Sequence, residues 1–187
     1  NPIFVSGNYA YVVAVNDTTG TGCSTTDSSL CEFFIFDIST STPAFVNGMD
    51  VGQSVNDIFV SGRYAYVVDT SANLIIYDVS NPSAIATTSV TAGLGYGGIY
   101  VSGRYAYTGT SQLKIIDISN PASPVQVGAS SGLGNNISGI YVSGRYAYLT
   151  EDGGTGNDFH IFDISNPASP VEVGGADLGA IYASDIY

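Results

Sequence analysis

Apolar positions in this chain come in short blocks and not in helical stripes. Residues 58–60, 64–68 and 74–77 read Ile-Phe-Val, Tyr-Ala-Tyr-Val-Val and Leu-Ile-Ile-Tyr, with Gly, Asn, Pro and Ser between such runs. Runs rich in β-branched and aromatic residues between turn-forming residues predict strands. No segment sustains the 3.6-residue period of an amphipathic helix. Within each run the apolar character is nearly continuous, which predicts strands buried on both faces.

The blocks recur. Val-Ser-Gly-Arg-Tyr-Ala-Tyr begins at Val60, Val101 and Val142, and a variant with Asn8 in place of Arg begins at Val5. The starts lie 55, 41 and 41 residues apart. An apolar run ending in Asp37, Asp78, Asp117 or Asp163 follows each copy, then a turn (Ile-Ser-Asn-Pro in the last two units), then a further extended run. Each unit predicts four strands, a to d; in the second they are 57–60, 64–68, 74–78 and about 84–90. The a–b link, Ser61-Gly62-Arg63, is short enough for a hairpin with Gly where φ turns positive. Pro82, with a fixed φ and no N–H, suits the c–d turn.

A four-stranded sheet of about 40 residues that is apolar on both faces cannot bury itself. Neighbouring sheets must cover it, and radial stacking of such units gives a β-propeller. A β-helix is the alternative, but its coils are shorter and lack hairpin turns. The fold class is therefore all-β, a propeller of four-stranded antiparallel blades. The blades span about 1–55, 56–96, 97–137 and 138–183, with 184–187 opening a further strand. Ser184-Asp185-Ile186-Tyr187 occupies the same phase as Asn1-Pro2-Ile3-Phe4. In a closed four-blade ring the two stretches would compete for one slot. The expectation is therefore an arc of a larger propeller, with the other blades outside this stretch or supplied by a neighbouring copy. The chain opens mid-pattern at Asn1 without Met, which reads as processed or cropped.

The Tyr-Ala-Tyr strand, the Ile-Ile-Asp-Ile-Ser-Asn-Pro segment and the Pro-Val-x-Val-Gly strand resemble the LVIVD repeat. The resemblance spans the chain in four copies, and units three and four carry it most fully. The first unit departs, with Asn8, the turn Ser39-Thr40-Ser41-Thr42-Pro43 and a long insertion. The resemblance implies propeller blades, a location at bacterial or archaeal cell surfaces, and a binding or scaffolding role. It implies no reaction.

Composition narrows the classes. The 187 residues carry 16 acidic and 4 basic side chains, a net charge of −12. Nucleic acid is excluded as a partner, because phosphate binding needs clustered Lys and Arg. No apolar run approaches the roughly 18 residues of a membrane span. Three of the four bases are the repeated Arg63, Arg104 and Arg145. They fall on the same end of the sheets as the four aspartates. Aspartates capping their own turns and arginines pairing with them account for a pattern present in nearly every unit. Loss of Arg104 is then expected to act on stability, through hydrogen bonds and stem packing, and not on a ligand.

Unit-specific features sit in the b–c links. Cys23 and Cys31 lie in or beside the long first link, in a setting of Thr, Ser and Gly that predicts one disulfide and an oxidising compartment. In the fourth link, Glu151, Asp152, Asn157 and Asp158 offer oxygens, and the intervening glycines let the backbone curl, so calcium is the candidate ion. The spacing matches no EF-hand loop, and the competing reading is a solvated turn. Two glycosylation sequons occur, at Asn16 and Asn136. His160, the single histidine, lies inside strand c, where a packed residue is expected and not a base. The tyrosine pairs of strand b, two residues apart, share one face and are expected to pack between blades. No nucleophile elbow, phosphate loop or H-E-x-x-H is present.

The functional expectation is a non-enzymatic extracellular or cell-surface module binding protein, glycan or neighbouring copies, without cofactor unless calcium. The alternative is a metal-assisted hydrolase with its site at the channel mouth.

Overall fold

The computed structural model of the chain describes residues 3–14, 23, 31–152, 156–179 and 186. Among the described residues, sixteen strands form four separate four-stranded antiparallel sheets, each a simple meander. The first sheet holds β1 (Ile3–Ser6), β2 (Tyr9–Val13), β3 (Phe33–Asp37) and β4 (Ala44–Met49). The second holds β5 (Val55–Ser61), β6 (Tyr64–Asp69), β7 (Asn73–Asp78) and β8 (Ala86–Ala92). The third holds β9 (Tyr100–Ser102), β10 (Tyr105–Gly109), β11 (Leu113–Asp117) and β12 (Val125–Ala129). The fourth holds β13 (Ile137–Ser143), β14 (Tyr146–Glu151), β15 (Phe159–Asp163) and β16 (Val171–Ala176).

Local chemistry sets each corner. Ser61 pairs with Tyr64 across Gly62-Arg63, and Gly62 has a φ of 60°. Such a two-residue turn needs positive φ at its first central position, where only Gly pays no steric penalty. The c–d turn is held by Asn81, whose carbonyl accepts the Ala84 N–H at 2.9 Å. This bond extends the turn, so the fourth strand starts at Ala86, two residues later than the sequence pattern suggested. The register between third and fourth strands slips by one residue at Ile35/Phe36, Ile76/Tyr77, Ile115/Ile116 and Ile161/Phe162, the same place in every sheet. A repeated bulge of this kind bends the fourth strand and increases its twist.

Burial differs between strands, and the fourth strands depart from the expectation of sheets buried on both faces. Strands β6 and β7 are buried almost throughout, while β8 and β16 are largely exposed. Among the described residues the core is three clusters, one at each junction between successive sheets. Tyr11, Phe33 and Ile35 meet Ile58, Val60 and Tyr77 at the first. Tyr66, Leu74 and Ile76 meet Ile99, Val101 and Ile116 at the second. Tyr107, Leu113 and Ile115 meet Ile140, Val142 and Phe162 at the third. The first strands lie side by side, β1 against β5, β5 against β9 and β9 against β13. Their rings form a column, with centroids of Phe4 and Phe59 at 4.8 Å, Phe59 and Tyr100 at 4.9 Å, and Tyr100 and Tyr141 at 5.3 Å. Among the described residues no fourth core cluster joins the last sheet to the first. The sheets form an open arc, as the repeated phase at the two ends of the sequence led us to expect; Asn1, Pro2, Ser184, Asp185 and Tyr187 themselves lie outside the described residues.

Candidate functional site

Two ends of the sheets differ in kind. At the a–b and c–d end the groups repeat. Arg63 pairs with Asp78, Arg104 with Asp117 and Arg145 with Asp163, each through Nη2 and Oδ2. The guanidinium of Arg63 also lies 5.3 Å from the centre of the Tyr64 ring, with equivalent placements over Tyr105 and Tyr146. The other carboxylate oxygen caps the turn: Asp117 Oδ1 accepts the Ser119 N–H and Asp163 Oδ1 the Ser165 N–H, both at 2.9 Å. In the first sheet, which lacks the arginine, Asp37 still accepts the Ser39 N–H at 2.8 Å. Three repetitions of one self-satisfied pair are a turn lock, not a site.

The Arg104 side chain is 59% exposed. An exposed pair is weakened by water and screened by salt, so Arg104→Ala is expected to have only a small, salt-sensitive effect on stability. These pairs do predict an acid response. The arginine first, then the Ser hydroxyl and N–H, hold the carboxyls of Asp117 and Asp163 down at about 2, against 3.8 for a free aspartate. The folded pKa is depressed, so the contribution is present above about pH 4 and lost as pH falls towards 2. Thermal unfolding followed by circular dichroism between pH 5 and pH 2 should show that loss (the interval follows from these two values). The decline should shrink in Asp117→Asn.

At the b–c end the groups are specific to one sheet or another. The disulfide joins Cys23 to Cys31, which is 1% exposed. A Cβ at Gly48 of β4 would lie 2.7 Å from the Cys31 sulfur, so the bridge rests directly on a glycine. Beside it Glu32 is buried, and its Oε2 accepts the Val51 N–H at 2.8 Å. Burial raises its pKa, partly offset by that hydrogen bond. Asp69, at the end of β6, accepts N–H bonds from Ser71 and Asn73, both at 2.9 Å, and so closes its own short link.

In the fourth sheet the Glu151 N–H donates to the Asp158 carbonyl at 2.9 Å, so the two ends of the b–c link meet. Glu151 is buried at the end of β14, where its Oε2 accepts the Asn135 N–H at 2.9 Å. Asp158 is also buried, and its Oδ2 accepts the Leu178 N–H at 3.0 Å. Asp152 and Asn157 are exposed. Two of the four are thus already engaged by backbone donors, and among the described residues no three His, Cys, Asp or Glu side chains converge as a metal site. Asn136 is exposed in the link before β13, while Asn16 lies outside the described residues.

One cluster escaped the sequence reading. His160 is buried on β15, with Nδ1 2.8 Å from Glu172 Oε1 and Nε2 3.0 Å from the Asn157 carbonyl. Glu151 Oε1 lies 3.2 Å from the same Nε2, but off the line of a hydrogen bond. Both ring nitrogens have oxygen neighbours, so the ring is packed and held within the fourth sheet. Glu172 stands in the fourth strand, opposite Phe162 across the bulge. Only the strand pairing brings it to the histidine; a twelve-residue separation carries no such signal.

Comparison with known proteins agrees with the architecture. The family model described as LVIVD repeat matches residues 1–18, 52–89, 97–130 and 135–177. No curated protein matches the chain. Among solved structures the chain is similar to the computationally designed Ika8 protein, in its crystal packing No.1 in P63, at 9% identity and a TM-score of 0.66. That similarity covers 98% of this chain and 50% of the other, so the chain spans half that length. The computationally designed Ika4 protein is similar at 9% identity and a TM-score of 0.54, over 71% of this chain and 78% of that one.

Proposed function

Because this chain belongs to the LVIVD repeat family, we propose that it is a non-enzymatic binding or scaffolding module working outside the cell or at its surface. The observation that carries this reading is where the departures from the repeat gather. Residues common to the units are consumed by turns and by packing between sheets. Glu32, the Cys23–Cys31 bridge and Asp158 stand on b–c links, whose lengths differ from unit to unit, and Glu151 and His160 stand on the strands that flank the fourth of them. Variable links on a rigid repeat are where such proteins make contacts. The bridge suits an oxidising compartment, and the charge of −12 favours solubility over adhesion to nucleic acid or to acidic surfaces. The partner is a protein or glycan at that surface, or a neighbouring copy; calcium, if it acts, does so at Asp152 and the fourth link.

Protease treatment of intact source cells tests the location, with removal of the chain before lysis as the expected result. Digestion only after lysis would contradict it. Metal analysis of the purified chain tests the mode of action. One tightly bound transition metal per chain would overturn this reading in favour of a metal-assisted hydrolase.

A further inference from the structure

The link between the third and fourth sheets, residues 130–136, ends where Asn136-Ile137-Ser138 begins. The backbone on both sides of Asn136 is pinned. Its carbonyl accepts the Asp152 N–H at 2.9 Å, and the Ile137 N–H donates to the Thr110 carbonyl at 2.9 Å. Ile137 itself is 1% exposed in the core between the two sheets. Asn136 is therefore tied to the b–c links of both sheets, through Thr110 in the third and Asp152 in the fourth. The second sheet builds the same lock without an asparagine. There the Ser54 carbonyl accepts the Thr70 N–H at 2.9 Å, and the Val55 N–H donates to the Ala14 carbonyl at 3.4 Å. The lock needs only backbone, so it leaves the Asn136 amide without a structural task.

The surroundings leave room on that amide. Asn136 is exposed, and so are Ser131, Gly132 and Gly134 of the same link. A Cβ added at Gly132 would meet nothing within 4 Å, and one at Gly134 only Glu151 Oε2 at 3.5 Å. Small residues on a fixed backbone thus present one exposed primary amide at the b–c end of the seam between the third and fourth sheets.

We propose that Asn136 is an N-glycosylation site, with an oligosaccharide on its Nδ2 that stands over this end of the seam. Asn-Ile-Ser is the acceptor motif of that chemistry, and the motif calls for an exposed loop in a chain outside the cell. The structure supplies the exposed loop; the compartment rests on the location proposed above, which the Cys23–Cys31 bridge also suits. The donor is a lipid-linked oligosaccharide phosphate. Nδ2 bonds to C1 of its first sugar as the C1–O bond breaks, the lipid phosphate leaves with that electron pair, and the amide proton passes to water. In the folded chain Ser138 is half-buried, and its hydroxyl donates to Thr150 Oγ1 at 3.1 Å. A transferase that reads the motif must reach this hydroxyl, so transfer belongs before β13 pairs with β14, while the chain is being exported.

Trypsin cuts after Lys114 and Arg145, and the product, residues 115–145, contains Asn136 in its single sequon. In protein purified from the source cells, mass spectrometry of that peptide should show an added oligosaccharide, and fragmentation should place it on Asn136. Asn136→Gln and Ser138→Ala, each produced in the same cells, should give the bare peptide, while Ser138→Thr should keep the glycan. Asn136→Gln leaves the backbone lock intact, so folding should survive, and circular dichroism checks it. Native protein that yields only the bare peptide overturns the proposal. Sugar on Ser131 or another hydroxyl of the peptide, with Asn136 bare, overturns it too, as does a glycan that survives Ser138→Ala. Protease treatment of the same intact cells separates this outcome from the location. A chain removed from the cell surface yet bare at Asn136 defeats the glycan and leaves the surface reading standing.

Discussion

Gly128→Ala is expected to destabilise the chain by about 1–3 kcal/mol or more, the usual cost of forcing atoms into a packed seam. Gly128 lies on β12, where the fourth strand of the third sheet runs under the c–d turn of the fourth. A Cβ there would stand 2.0 Å from the Pro167 carbonyl oxygen and 2.9 Å from the carbonyl carbon of Ala168. Both are backbone atoms, so the whole turn must retreat. The junction between the second and third sheets solves the same seam differently. Ser89 occupies the equivalent place, and its hydroxyl donates to the Pro121 carbonyl at 2.8 Å. Gly174 is the matched control on the fourth sheet, where the nearest atom to an added Cβ is the Ile161 Cδ1 at 3.8 Å. In dilute denaturant titrations Gly174→Ala should change stability by no more than about 0.5 kcal/mol. Equal losses in the two variants would mean that the fourth sheet is covered within one chain, contrary to an open arc.

Removing the disulfide should cost a similar amount by a different route. Cys23 and Cys31 are eight residues apart. Closing so short a loop restricts the unfolded chain and contributes about 2.6 kcal/mol in the loop-entropy description. The double variant Cys23→Ala, Cys31→Ala should lose roughly that amount in urea titration. Reduction of the native chain should reproduce the loss, which rules out damage by the substitutions themselves. Intact mass after alkylation gives the direct check. The untreated chain should take up no label and the reduced chain two, as its two cysteines allow. Two labels on untreated protein would remove both the bridge and the argument for an oxidising compartment.

Much of the fold was legible because each unit repeats its own punctuation. Gly62 and its equivalents set the a–b corner, and the aspartate at the end of the third strand sets the c–d corner. Near-continuous apolar runs gave the second and third strands, since a strand buried on both faces leaves no polar alternation. The fourth strand was harder to place. In the second unit the Asn81–Ala84 hydrogen bond lengthens the turn, a three-dimensional effect that composition does not carry. The disulfide was legible from its polar setting. The aromatic column was present in the sequence as the residue before each Val-Ser-Gly, at Phe4, Phe59, Tyr100 and Tyr141, yet only the stacking of first strands turns that position into contact. For the carboxylates of the fourth link, spacing does not say which way a side chain points. Glu151 and Asp158 turn inward to the Asn135 and Leu178 N–H groups. Glu172 reaches His160 across a bulged strand pair, which no spacing rule anticipates.

The open arc is tested most directly by a pair of cysteines, Val5→Cys and Val173→Cys, one on each terminal face. After mild oxidation and electrophoresis without reductant, the account predicts no cross-link within one chain. A cross-link within one chain, consuming both new thiols at the mass of a single copy, would place the first sheet against the fourth and contradict it.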